Sequence, residues 1–135
     1  MDPTVCEQIF EPRPSEIGEA REFVHQALVD ELPNTQDIVL MTSELATNVV
    51  QHAQTPFVIR VIVEDFAVRV EVGDGDSEVP VIDEKGTDAT GGGGLQVVNE
   101  LATSWGVETH KYGKRVWFQV PLPGRKSGGN NGSCV

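Results

Sequence analysis

The stretch DATGGGGLQVVNELATSWGVE, residues 88–108, places four consecutive glycines directly before an apolar run with helical spacing. A helix that begins at such a run presents backbone N–H groups, without side chains, beside the positive end of its dipole. This arrangement is typical of anion sites, and of phosphate sites above all. A flexible loop or a helix cap uses glycines in the same way, so the run alone leaves these alternatives open.

The glycine run does not match the common phosphate-binding motifs. A P-loop requires a lysine after its last glycine, but Leu95 and Gln96 follow here. A dinucleotide-binding turn requires G-x-G-x-x-G directly after a strand, whereas a polar, irregular segment precedes this run. A phosphate loop without lysine needs a cation such as Mg²⁺, and Mg²⁺ prefers oxygen ligands.

A second helical segment offers such ligands. Glu44 and Asn48 are four residues apart, so they share one face of a helix, and His52 extends the same row. A solvated polar helix face has the same pattern. Asp74 follows a strand-like run, where its carboxylate can accept a hydrogen bond from a ligand amine, although Asp-Gly is also an ordinary turn signal.

Periodicity predicts the element order β-α-α-β-β-α-β-β, with an irregular polar segment over 74–90 that we interpret as a lid. Helices followed by antiparallel strands predict an α+β sandwich with helices on one sheet face. We expect one domain over 1–123 and a disordered tail over 124–135. The predicted strands cover 4–10, 57–64, 67–73, 105–110 and 115–122, and the predicted helices cover 12–32, 36–53 and 95–102.

The net charge of −11 and the short basic stretches argue against direct nucleic-acid binding. No apolar run is long enough to span a membrane and no signal peptide is recognisable, so we expect a cytoplasmic protein. Both cysteines are expected to be free thiols in a reducing compartment. The aromatic residues of the last strands, Trp105, Trp117 and Phe118, are expected in the core.

Three stretches together resemble the N, G1 and G2 boxes of the GHKL (Bergerat-fold) ATP-binding domain, in that order. They are MTSELATNVVQHA (41–53), VEVGDGDSEVP (70–80) and GGGGLQVVNELATSWGVE (91–108). The resemblance covers about 5–122 and is strongest to the stand-alone anti-sigma-factor serine/threonine kinases of bacterial partner-switching systems. It implies a two-layer Bergerat fold with a mixed, mostly antiparallel sheet.

The resemblance also implies a role for each matching residue, with ATP and Mg²⁺ as cofactors. Glu44 matches the catalytic carboxylate that polarises the attacking hydroxyl, and Asn48 matches the Mg²⁺ ligand. Asp74 matches the acceptor for the adenine amino group, and His52 receives no clear role. The remaining nucleotide-binding positions implied by the match are Gly75, Gly92, Gly93, Gly94 and Leu95.

The sequence departs from the family pattern in the G1 box, which is usually D-x-G-x-G. Asp76 and Glu78 replace the two later glycines, which leaves the geometry of the adenine loop and the strength of ATP binding open. The hydroxyl residue often found on the last strand near the base also has no match, because Val116 and Trp117 occupy that region.

The implied activity is phosphorylation of a STAS-domain anti-anti-sigma protein, combined with sequestration of a sigma factor; the family also suggests a homodimer. A nucleotide-gated binding regulator without kinase activity remains an alternative, as does a protein whose glycines are only a hinge. A sensor histidine kinase would need a helical hairpin with a phospho-accepting histidine, and we expect no room for one before His25.

Overall fold

The computed structural model of the chain describes residues 2–78 and 94–123. Within these ranges the predicted order of strands and helices is confirmed. The predicted lid beyond residue 78 and the predicted tail over 124–135 lie outside the described residues.

Five strands form one sheet in the spatial order β1-β2-β3-β5-β4, and every pairing among them is antiparallel. Tight turns connect β2 to β3 and β4 to β5, because each pair is adjacent in sequence and in the sheet. The sheet therefore contains no parallel pair among the described strands, although a mixed sheet was expected. The strands are β1 Thr4–Phe10, β2 Phe57–Val63, β3 Ala67–Asp74, β4 Ser104–His110 and β5 Gly113–Pro121.

Three α-helices, α1 Pro14–Leu28, α2 Gln36–Asn48 and α3 Gly94–Leu101, accompany the sheet. Helix α1 begins with a proline at its first position, where the missing N–H costs nothing. Its regular part ends at Leu28, earlier than predicted, and a turn follows in which the amides of Glu31 and Leu32 both donate to the Leu28 carbonyl.

The core lies between the helices and one face of the sheet, which confirms the α+β, two-layer fold. Strand β2 alternates between buried and partly buried residues along its whole length, which is the pattern of a strand with one face in the core. Packing of α2 between α1 and α3 extends this apolar layer. The largest fully buried side chains are Phe10, Phe57, Phe118, Leu28, Met41, Ile59 and Leu95.

The other face of the sheet carries charged and aromatic side chains. Trp117 lies on this face rather than in the core, with the Arg69 guanidinium 4.1 Å from its ring centroid. Gly106, opposite Trp117 on β4, leaves room for the indole, since a β-carbon there would lie 2.9 Å from its Nε1. Phe118 lies in the core and the partly buried Trp105 packs against it, so the expected core position is wrong for Trp117 alone among the three.

Cys6 is buried in β1 and is disulfide-bonded, so the expectation that both thiols are free is wrong. Cys134 lies outside the described residues. Among the helices that the structure describes, none has the length and apolar character needed to cross a membrane.

Candidate functional site

Helix α2 presents the first part of the candidate site. Its apolar stripe, which includes Met41 and Leu45, is fully buried against the sheet. Glu44 and Asn48 lie on the neighbouring side of the helix and are partly buried. The polar pattern of α2 was also compatible with a helix face fully exposed to solvent. The partial burial of Glu44 and Asn48 at the edge of the core differs from that alternative.

The sequence predicted a regular helix through Ala53. In the structure, the α-helix instead changes to a π-helical turn over Val49–Ala53. The turn ends at Gln54, which has a left-handed backbone (φ 56°) and donates its N–H to the Val49 carbonyl at 2.7 Å. His52 falls within this π-turn, where the hydrogen bonds follow i→i+5 and the regular α-helical spacing from Glu44 and Asn48 no longer holds. His52 is exposed and lines the cavity described below.

Helix α3 begins directly against this polar row. A β-carbon at Gly94 would lie 3.0 Å from Nδ2 of Asn48, 3.4 Å from its Oδ1 and 3.4 Å from Cβ of Glu44. Gly94 therefore brings the N-terminal backbone of α3 closer to Asn48 than a residue with a side chain would allow. Leu95 is fully buried, so its side chain anchors the helix in the core. Gly92 and Gly93 lie outside the described residues.

Asp74 is the last residue of β3, and its side chain is only 2% exposed. Its Oδ1 accepts the N–H of Asp76 at 2.8 Å, and Asp76 Oδ1 in turn accepts the N–H of Glu78 at 2.9 Å. The two acids that replace the expected glycines thus belong to a chain of side-chain-to-backbone turns. The Gly75 amide donates to Thr55 Oγ1 at 2.8 Å, so this N–H has a partner within the protein.

A cavity of about 290 Å³ lies between the end of α2, the π-turn, β3 and β5. This volume is close to the lower end of the ~300–1,000 Å³ typical of small-molecule sites. Asn48 and Asp74, which are 26 positions apart in the sequence, both line it. Glu44 and Gly94 are not part of the described wall, but they contact or adjoin Asn48 at its edge.

Lys114 is a site residue that the sequence did not reveal. It lies opposite Asp74 in the β3–β5 pairing, and its Nζ is 3.1 Å from the Asp74 carboxylate. Gly113 permits the close approach of the two strands, because a β-carbon there would collide with the Asp74 carbonyl. In the sequence, Gly113 and Lys114 belong only to a short basic stretch. Only the pairing register of β3 and β5 places them beside Asp74.

Among the described residues, no group of three or more His, Cys, Asp or Glu side chains is arranged to hold a metal ion. Mg²⁺ in nucleotide sites takes most of its ligands from phosphates and water. The Asn48 carboxamide, beside the bare Gly94 backbone, fits a site of this kind because an oxygen ligand and an anion-binding helix start adjoin each other.

The chain belongs to the family of the histidine kinase-like ATPase domain, whose family model matches residues 10–120. This match confirms the resemblance to the GHKL ATP-binding domain, of which this family is a part. Family membership assigns the chain to the nucleotide-binding ATPase domains.

The fold also matches a solved structure, the RsbU and RsbW domains of Rv1364c from Mycobacterium tuberculosis. The TM-score is 0.66 at 18% sequence identity, and the match covers 91% of this chain and 34% of that one. This chain therefore spans about a third of the length of its structural neighbour. No curated protein gives a significant match.

Proposed function

We propose that the chain is a cytoplasmic anti-sigma factor and ATP-dependent serine/threonine protein kinase that phosphorylates a STAS-domain anti-anti-sigma protein and sequesters a sigma factor. The observation that carries this proposal is the meeting of the three resembling segments: Gly94 packs against Asn48, and Asn48 shares a cavity with Asp74. Membership of the ATPase family supports the nucleotide, and the likeness to a chain with an RsbW domain supports the regulatory class.

In this proposal, the Asp74 carboxylate accepts a hydrogen bond from the adenine amino group. The phosphates lie towards the start of α3, where the Gly94 amide and the helix dipole favour negative charge. The resemblance assigns Gly92 and Gly93 to the same phosphate contact. Asn48 Oδ1 holds Mg²⁺, which neutralises phosphate charge when it is bound. The acidic surface makes such a cation necessary, since the net charge of −11 repels a free polyphosphate.

Glu44 is the proposed catalytic carboxylate. Phosphoryl transfer depends mainly on alignment and charge stabilisation, so a single well-placed base is sufficient for a slow kinase. The acceptor hydroxyl oxygen forms a bond to the γ-phosphorus, the bond to the ADP oxygen breaks, and the hydroxyl proton passes to Glu44. The partly buried position of Glu44, one helical turn from Asn48, supports this role.

The experiment that tests the proposal is incubation of the full chain with γ-labelled ATP, Mg²⁺ and a STAS-domain protein encoded beside it. We expect label on a serine or threonine of the STAS protein, and we expect Glu44→Gln to lose the transfer while it still binds ATP. Label that accumulates at the same rate with Glu44→Gln would contradict the assignment of the base.

A regulator that binds nucleotide without kinase activity is the second candidate. It is favoured by the altered G1 loop, in which Asp76 and Glu78 replace glycines and donate their backbone N–H groups to the side chains of Asp74 and Asp76. Such a regulator would bind ATP and change its affinity for its protein partner, but would transfer no label. Partner affinity measured with and without ATP, in the same samples as the transfer assay, separates the two candidates.

We also propose that residues 1–123 form the functional domain and that it acts as a homodimer. Sedimentation of the full chain, with and without Mg-ATP, tests the homodimer, and calorimetry with ATP on a chain truncated after residue 123 tests the domain boundary. A full chain that sediments as a monomer in both conditions would contradict the homodimer. A truncated chain that fails to bind ATP would contradict the boundary.

A further inference from the structure

Lys114 is a charged residue in an enclosed position beside Asp74 in the cavity wall. Its side chain is 8% exposed, and that of Asp74 is 2% exposed. The Lys114 Nζ lies 3.1 Å from Oδ1 and 3.1 Å from Oδ2 of Asp74, and 3.0 Å from the Asp76 carbonyl oxygen. One lysine thus connects β5, the end of β3 and the loop that follows.

The ammonium donates hydrogen bonds to Asp74 Oδ1 and to the Asp76 carbonyl oxygen, and it forms an ion pair with Asp74 Oδ2. Asp74 Oδ1 accepts from both Lys114 and the Asp76 N–H. Oδ2 lies 3.1 Å from the Lys114 Nζ in an ion pair, and a carboxylate oxygen has room for two donors. Within the residues that the structure describes, Oδ2 therefore has acceptor capacity for a ligand.

Removal of Lys114 would leave a strongly acidic wall. Asp74, Asp76 and Glu78 all line the cavity, and Lys114 is the one cationic side chain of lysine or arginine in the described part of its lining. A buried carboxylate is costly without a paired cation, so Lys114 stabilises the carboxylate in this wall. Its contacts to both carboxylate oxygens also fix the direction in which Asp74 presents an acceptor.

We propose that Lys114 is a positioning residue that makes Asp74 select a 6-amino purine over a 6-oxo purine; this inference rests on the proposed ATP site. With Lys114 present, the pinned carboxylate accepts a hydrogen from the 6-amino group of adenine. The 6-oxo group of hypoxanthine places an acceptor against the same carboxylate and is rejected. Without Lys114, the carboxylate loses the contacts that fix its orientation, so its hydrogen bond to the 6-amino group weakens and the preference for adenine falls.

The test measures the ratio of ITP to ATP dissociation constants by calorimetry with Mg²⁺ for the full chain and three variants. We expect the full chain to prefer ATP, and we expect Lys114→Met and Lys114→Gln to reduce the preference by about tenfold or more, the scale of a hydrogen bond to a charged group. Lys114→Arg keeps a positive charge beside Asp74 and retains the preference. A merely structural lysine would weaken ATP and ITP in parallel and leave the ratio unchanged.

The variants also separate this inference from the proposed function. A full chain that binds neither nucleotide contradicts the ATP site itself. A full chain that prefers ATP, together with an unchanged ratio in Lys114→Gln, contradicts only the role of Lys114. If Lys114→Met does not fold, the comparison of Lys114→Gln with Lys114→Arg decides, because glutamine retains hydrogen bonding and loses the charge. Equal ratios in these two variants would overturn the inference.

Discussion

Gly94 and Asn48 are in direct contact: a β-carbon at Gly94 would lie 3.0 Å from the Asn48 carboxamide nitrogen. This contact joins the start of α3 to the end of α2, two segments that are 46 positions apart in sequence. The carboxamide and the positive end of the α3 dipole therefore adjoin each other, as a site for a metal-bound phosphate requires.

Gly94→Ala is expected to weaken binding of Mg-ATP by about two- to tenfold, because the Asn48 carboxamide must move from its place and a side chain displaced from its rotamer costs ~0.5–1.5 kcal/mol. The added methyl group must push the Asn48 carboxamide or the start of α3 away from its place. Calorimetry at fixed Mg²⁺ measures the loss.

The matched control for this variant is Gly18→Ala, within α1. A β-carbon there meets only the Arg21 side chain, at 3.6 Å, so it causes no clash. We expect unchanged ATP affinity and a gain of about 0.5–1 kcal/mol in the free energy of unfolding, the usual preference for alanine in a helix. Equal ATP affinity in the two variants would show that the Gly94 contact is irrelevant to binding.

Glu44→Gln is expected to lower the rate of phosphoryl transfer by about 10²- to 10⁴-fold, the typical contribution of a positioned base. The dissociation constant for ATP should change little, because the proposed contact is to the acceptor hydroxyl. Single-turnover transfer to the STAS protein gives the rate. Glu100→Gln, at an exposed position on α3, is the control and should retain the full rate.

Gly106→Ala is expected to destabilise the fold by about 1–3 kcal/mol, the usual cost of overpacking. The added carbon would lie 2.9 Å from Trp117 Nε1, and the indole is held in place by Arg69. Urea denaturation measures the change. Gly73→Ala is the control on the same sheet face, since its nearest contact would be an ordinary 3.7 Å. A difference between the two variants within ±0.5 kcal/mol would contradict the assigned role of Gly106.

Glu71→Gln is expected to destabilise the protein by about 1–3 kcal/mol, because the change removes the negative charge that faces three arginines. Its side chain is 5% exposed, with Arg69 Nε at 2.8 Å, Arg60 Nη1 at 3.0 Å and Arg115 Nε at 3.6 Å. Glu108→Gln is the control: this side chain is 45% exposed, and its bridges at 3.5 Å should contribute less than ~1 kcal/mol. When urea denaturation is repeated at high salt, the destabilisation caused by Glu108→Gln should decrease more than that caused by Glu71→Gln, because salt screens exposed pairs more strongly than buried ones. A larger loss with Glu108→Gln would contradict the assignment.

The sequence predicted the element order and one-sided core because the apolar spacing is regular. Strand β2, with its alternating burial, and the buried stripe of α2 follow the expected periods of 2 and 3.6 residues. The meeting of Asn48 with Gly94 was anticipated from the ordered boxes. The roles of Glu44 and Asp74 remain predictions.

Long-range geometry accounts for what the sequence did not predict. Lys114 reaches Asp74 only because β5 pairs with β3 in one particular register, which no local pattern specifies. The π-turn after Asn48 arises inside a run with continuous helical propensity. Trp117 was placed in the core by its type, whereas its strand position turns it towards Arg69 on the other face.

Calorimetric titration of the full chain with ATP in the presence of Mg²⁺ tests the central claim most directly. We predict that each chain binds one nucleotide and that Asp74→Asn binds it about tenfold more weakly or worse, the scale of a hydrogen bond to a charged group. Asp65→Asn, in the exposed β2–β3 turn, should bind as the original chain does. Absence of binding at millimolar ATP, or equal affinity in Asp74→Asn, would contradict the account.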